Sequence, residues 1–311
     1  MASDMSRKST YLIRGFNYGS RSRAQGSLLM ELLVVCLLIS LFLPFLVRTI
    51  SRLQDRHLLA QTYQDQRTFK AAIDAHFQSQ WARLIPASCT DDASLSLTIQ
   101  SGASVPNRLS SRIVSVDSDW LKGVDYGSCR IGMTVASNPF DVTLDCHWKN
   151  GDRAVFSSCD AYSMGQVTAL SGNKRTIQLD NANVIGLSGM LESEDGFYWY
   201  LSPGKNGGTA FWRTPEESGN SLELLNGIER LSIFPLLDSD DNGSVDTLET
   251  SYGDFSLKQI RGLWIEYQYR LDDCKSERGI ELDQSYESMR GDTWHYSTPC
   301  QSVGNQIISL K

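Results

Sequence analysis

From Leu28 to Val47 the chain reads LLMELLVVCLLISLFLPFLV, apolar on every side of a helix and charged only at Glu31. Twenty residues at about 1.5 Å each reach about 30 Å, the thickness of a bilayer's hydrocarbon, so this run predicts a membrane-spanning helix. A secretory signal would have a shorter apolar core followed by small residues. Beyond the run the pattern changes. Phe69, Ile73, Phe77 and Trp81 recur at every fourth position, with Ala72 and Leu84 beside them. That is one apolar stripe on an otherwise polar helix. No Gly or Pro falls between Thr49 and Ile85, and Pro86 then closes the pattern. One helix from Leu28 to Leu84 is expected, about 85 Å long, with a bend at Pro44.

After Cys89 the apolar positions come in short runs separated by Gly, Asn, Asp and Ser. Strands are expected at Leu95–Gln100, Arg112–Val116, Arg130–Val135, Asp141–Trp148, Ala154–Ser157, Gln166–Leu170 and Thr176–Leu179. Further ones fall at Phe197–Leu201, Ala210–Arg213, Arg230–Leu236 and Leu263–Leu271. Strands without intervening helices imply antiparallel sheet, so the fold class is α+β: a long N-terminal helix on a β-rich globular domain. The domain organisation reads as residues 1–26 leader, 27–47 membrane and assembly helix, 48–86 amphipathic stem, and 87–311 globular part.

The net charge of −7 over 311 residues speaks against a nucleic-acid partner, since such domains carry a basic excess. It is unevenly spread. The first 26 residues hold Arg7, Lys8, Arg14, Arg21 and Arg23 against Asp4, a charge of +4, which leaves −11 for the rest. Arg48, Arg52 and Arg56 follow the span on one helix face, placed to reach lipid headgroups or acidic neighbours. Of seven cysteines, Cys36 lies in the apolar run, and no Cys/His spacing suits zinc. The other six suggest disulfides formed in an oxidising compartment. Cys274 and Cys300 are the expected pair, since the polar loop between them gains roughly 3 kcal/mol on closure. Cys89, Cys129, Cys146 and Cys159 allow three pairings, which sequence leaves open.

The polar-to-apolar junction Arg23-Ala-Gln-Gly26-Ser27 places a basic leader ending in Gly before an apolar helix with Glu as its fifth residue. An acid inside a membrane span costs roughly 2.5–3.5 kcal/mol on insertion scales unless it is paired. Cleavage after Gly26 would expose an amine on Ser27 as the natural partner of Glu31. This junction resembles the class III signal of type IV prepilins, although Ser27 stands where that family usually has Phe. The resemblance implies removal of the leader by prepilin peptidase and N-methylation of the new terminus. It also implies pairing of Glu31 with the terminal amine of a neighbouring subunit during assembly.

Most of the remaining chain resembles the large PilW-like minor pilins of the type IV pilus. The similarity runs through Trp-Ala-Arg-Leu-Ile-Pro-Ala-Ser-Cys (81–89), Val-Phe-Ser-Ser-Cys (155–159), Phe-Tyr-Trp-Tyr-Leu (197–201) and Ala-Phe-Trp-Arg (210–213). It continues in Leu-Asn-Gly-Ile-Glu-Arg-Leu (225–231), an acidic loop, and the run Leu263–Leu271. The order of these motifs carries the likeness. It implies a type IV pilin-like fold and a structural role in pilus priming or the tip complex. The implied partners are other minor and major pilins, prepilin peptidase and the inner-membrane assembly machinery. The implied location is the inner membrane of a Gram-negative bacterium with the globular domain in the periplasm, and later the pilus on the cell surface. A J-like minor pseudopilin of type II secretion and a membrane-anchored adhesin are the competing readings.

Catalysis is not expected. His57, His76, His147 and His295 form no hydrolase or metalloprotease motif, and no dinucleotide fingerprint occurs. The adjacent Cys146 and His147 would face opposite sides of a strand. The loop Ser202–Gly208 holds Gly-Lys in an order unlike a phosphate-binding loop. The acidic segment Asp-Ser-Asp-Asp-Asn-Gly-Ser-Val-Asp-Thr-Leu-Glu, Asp238 to Glu249, does fit a known chemistry. Asp238, Asp240 and Asn242 stand at positions 1, 3 and 5 of a twelve-residue calcium loop, Gly243 at the turn, and Glu249 at position 12. Asp246 and the carbonyl of Ser244 complete the expected set around a structural Ca²⁺. Crowded carboxylates repel, so the loop is expected to be mobile without a cation. The competing reading is a solvated acidic turn.

Overall fold

The computed structural model describes residues 25–86, 95–127, 129–143, 146, 148–271, 274 and 282–310, with side chains from Leu28 onward. A single α-helix runs from Gln25 to Trp81, 57 residues, with Pro44 inside it. It therefore begins before the expected Leu28 and stops before the expected Leu84. The amides of Ala82 and Leu84 still donate to Gln78 and Trp81, after which the chain turns. Pro86 disfavours a helical Ile85, and Leu84 and Ile85 are buried instead of extending the helix. The chain divides at Leu58 into two compact units. In the first, every described side chain from Leu28 to Ile50 is exposed, and the apolar run is long enough to cross a membrane.

The second unit, from Leu59, is built of antiparallel sheet around the end of the helix. A six-stranded sheet has the order Leu222–Asn226, Thr209–Pro215, Asp195–Pro203, Asp119–Asp125, Ser96–Ser101, Gly253–Ser256. A four-stranded sheet runs Thr247–Leu248, Ile228–Leu237, Ile260–Arg270, Gln301–Ser309. The stripe of the helix packs on residues from both. Phe77 stacks on Trp81 with centroids 4.9 Å apart and meets Phe211 of one sheet and Tyr267 of the other edge-on. Ile73, Phe77, Trp81, Trp199, Phe211, Leu263 and Ile265 are all fully buried in this core. Gly304 leaves room for it, since a Cβ there would lie 2.5 Å from the Tyr267 ring.

A second six-stranded sheet, Arg130–Thr134, Ser188–Ser193, Arg153–Ser157, Tyr162–Ser171, Lys174–Leu179, Phe140–Thr143, has its own core around Phe156, Val167, Ile177 and Leu191. The hairpin Leu282–Glu287 with Thr293–Thr298 completes the described strands. The α+β class is thus present as one long apolar N-terminal helix and a large antiparallel domain.

Two strand expectations need correction. Arg112–Val116 is not a strand. It bends so that Val114 is buried with Leu109, Trp120 and Tyr200, held by Ser115 N–H donating to Leu201 and Ser202 Oγ donating to Ile113. Of Asp141–Trp148, residues 141–143 fall in the strand Phe140–Thr143, Cys146 and Trp148 are not in a strand, and residues 144, 145 and 147 lie outside the described residues. Cys129 and Cys146 are joined by a disulfide, with Cα atoms 5.8 Å apart. Cys274 and Cys300 are also bridged, at 5.4 Å, and Cys159 is disulfide-bonded. Cys89, His147 and the leader up to Ala24 lie outside the described residues. Cys36 is a free, exposed thiol in the apolar run.

Candidate functional site: the acidic loop and the apolar helix

The acidic loop leaves and re-enters one strand end. Ile228–Leu237 delivers Asp238, and the chain returns as Asp246 N–H donates to Leu237 and Glu249 N–H to Pro235. Leu236 and Leu237 then pair with Leu248 and Thr247. Asp238 sits at the inner end with its side chain fully buried. Its Oδ1 accepts from the amide of Asn242 at 3.0 Å and its Oδ2 from that of Gly243 at 2.8 Å. Asn242 Oδ1 accepts from Ser244 N–H, and Asp246 Oδ2 accepts from Ser239 N–H at 2.9 Å. Gly243, at φ +88°, adopts the left-handed turn that favours glycine at this point of the loop.

Oxygens of Asp238, Asp240 and Asp246 come within 4.8 Å of one another. The expected sixth member stands apart: the Glu249 carboxylate accepts from both the amide and hydroxyl of Ser251. Those two bonds hold its pKa below the usual carboxylate range, the Ser251 amide contributing most. Sequence reasoning also missed the cations. Arg261 Nε donates to Asp238 Oδ2 at 2.8 Å, and its Nη2 donates to the same oxygen. Lys258 Nζ lies 3.2 Å from Asp241, which Arg261 also approaches. Burial works to raise the Asp238 pKa, but the Gly243 amide and the Arg261 guanidinium outweigh it and the net shift is downward. Arg261 is 23 residues away in sequence, on a strand whose pairing alone brings it to the loop. No local pattern marks it.

The donor chemistry suits calcium in part. Hard oxygen ligands at positions 1, 3 and 9 converge. Glu249 would have to release Ser251 to join them, and Arg261 already shares Asp238.

Two buried carboxylates elsewhere in the domain act as fasteners. Asp119 accepts from Arg290 at 2.8 Å, from Tyr252 Oη at 2.9 Å and from the amide of Ile233. Burial raises its pKa against the pull of Arg290, while burial and Asp119 push Tyr252 up to about 12. Glu266, fully buried, accepts from Ser288 Oγ, Tyr286 Oη and Trp264 Nε1. These bonds tie the hairpin to the four-stranded sheet and fill both carboxylates.

On the helix, Gly26 and Ser27 fall in the first turn and Glu31 one turn later, on the exposed apolar segment. No family model, curated protein or solved structure matches this chain.

Proposed function

We propose that this protein is a minor pilin of a type IV pilus, PilW-like, matured by prepilin peptidase between Gly26 and Ser27. Its role is structural, in the priming or tip complex, with other pilins and the inner-membrane machinery as partners. The observation that supports this best is the helix Gln25–Trp81, which joins two kinds of surface without a break. Its first part is apolar all round and carries one acid, Glu31. Its last part buries a stripe in a β domain. An all-round apolar face suits lipid, and later the apolar helices of other subunits. In this reading the terminal amine of Ser27 on a neighbouring subunit neutralises that acid during assembly.

Intact mass of the membrane form tests the reading. The expected chain begins at Ser27; one that begins at Met1 or Ala2, or that is cut after residue 47, overturns it. In the same strain Glu31→Ala should leave the domain folded but lower its incorporation into fibres. Normal incorporation would refute the pairing.

The acidic loop adds a cofactor to this reading: one structural Ca²⁺ held by Asp238, Asp240, Asn242 and Asp246 and the carbonyl of Ser244, with Glu249 recruited from Ser251. Affinity near 10⁻⁴–10⁻³ M, on the order found for extracellular modules, is expected. A tenfold excess over Kd should raise the melting temperature of the full chain in detergent by about 3–6 °C relative to EGTA. Asp240→Ala should abolish that shift. If the parent shows no shift, or the variant shows the full one, the loop is an acidic turn closed by Arg261.

A further inference from the structure

The segment just past the apolar run carries three cations that the pilin reading does not use. Arg48, Arg52 and Arg56 are exposed on one continuous helix. Their spacing of four residues advances about 40° per step, so the three lie within one side of the helix. We propose that this arginine face binds the phosphodiester headgroups of anionic phospholipid, anchoring the helix in the membrane at a defined depth. The proposal rests on Leu28–Val47 being the span.

Three arguments favour a lipid surface as the occupant. The face is continuous with the apolar run: Arg48 follows Val47 directly, where the hydrocarbon ends. The vertical reach fits for two of the three. Arg48 stands at the edge of the core and Arg52 about 6 Å further along the axis, within a headgroup layer of about 5–7 Å on each side; Arg56, about 12 Å along, meets that layer only by reaching back with its side chain. Helical side chains tilt toward the N-terminus, so each guanidinium is directed back toward the bilayer. The third argument is chemical. Each guanidinium offers two parallel donors to a phosphate, a match that an ammonium lacks.

The test uses the full chain in vesicles of phosphatidylcholine alone and of phosphatidylcholine mixed equally with phosphatidylglycerol. Spin-labelled lipids report which headgroup associates with the protein. Wild type is expected to prefer phosphatidylglycerol by roughly 5-fold or more, the effect of about one well-placed arginine at a charged surface. The R48Q/R52Q/R56Q variant is expected to lose most of that preference, while R48K/R52K/R56K keeps part of it. Equal association of both lipids with wild type overturns the proposal. So does an unchanged preference in the glutamine variant. Cross-linking of the arginine segment to acidic residues of another subunit, without lipid preference, assigns the face to protein and overturns it as well. A chain that floats with neither kind of vesicle refutes the span itself, and this proposal with it.

Discussion

Leu28–Leu58 and Leu59–Trp81 belong to the same helix yet use side chains in opposite ways. In the first segment large apolar residues are exposed on all sides, from Leu28 at 67% to Leu53 at 60%. In the second, apolar side chains are buried only where the four-residue repeat places them, as at Ile73, Phe77 and Trp81, each 0% exposed. Helical propensity does not distinguish the two segments; the angular distribution of apolar groups does. An all-round apolar helix has no internal partner and needs an apolar solvent or other helices. A striped helix obtains its stability from a tertiary surface.

The strongest way to break this contrast is to truncate one residue of each kind. Trp81→Ala should destabilise the β domain by about 3–5 kcal/mol, because it removes a buried ring that stacks on Phe77 and meets Phe211 edge-on. Leu38→Ala, in the exposed run, should leave the denaturant midpoint of the domain unchanged. Chemical unfolding of the full chain in detergent, followed by tryptophan fluorescence, compares them. Equal losses from both would mean that the two segments are stabilised in the same way.

The contrast also explains what could be read in advance. The helix is long and its periods are strong, so both segments are visible as pattern. The longer strands are visible because their apolar runs exceed local noise, as at Phe197–Leu201 within Asp195–Pro203. Asp119–Asp125 escapes because it is buried on both faces and does not alternate. The hairpin strand Leu282–Glu287 escapes for the opposite reason, being polar and mostly exposed. The acidic loop is legible because its carboxylates lie within twelve residues. Arg261, which closes on Asp238, and Arg290, which closes on Asp119 from 171 residues away, are products of tertiary approach. Long-range charge partners leave no spacing to recognise.

A smaller effect sharpens the picture of the stem. Its polar positions are also specified where they face the sheets: Tyr267 Oη donates to Asp74, and Lys70 Nζ lies 2.6 Å from the same carboxylate. Burial, with the Asp74 charge adding to it, raises the Tyr267 pKa, so the phenol remains a donor. Tyr267→Phe keeps the ring in the core and removes one bond to a charged acceptor. Because Lys70 still serves Asp74, the expected loss is about 1–2 kcal/mol. A stability equal to that of the parent would mean that the helix is held by apolar contact alone.

The smallest expected effect concerns pH and uses His76, on the half of the stem that meets the domain. Its Nε2 is buried with no hydrogen-bond partner. Burial, and secondarily the positive charge of Arg213, lowers its pKa from the ordinary 6.5. The unfolded chain therefore holds the His76 proton at pH values where the folded chain has released it. Stability from this group is complete above about pH 6.5 and is lost as pH falls through the lower folded value. His76→Gln has no proton to exchange, so its stability should vary less than that of the parent between neutral pH and the acid side of 6.5. Denaturant midpoints measured across that interval decide the matter. Parallel curves would mean that the imidazole is charged in the fold, with a counter-charge drawn up to it from the sheet.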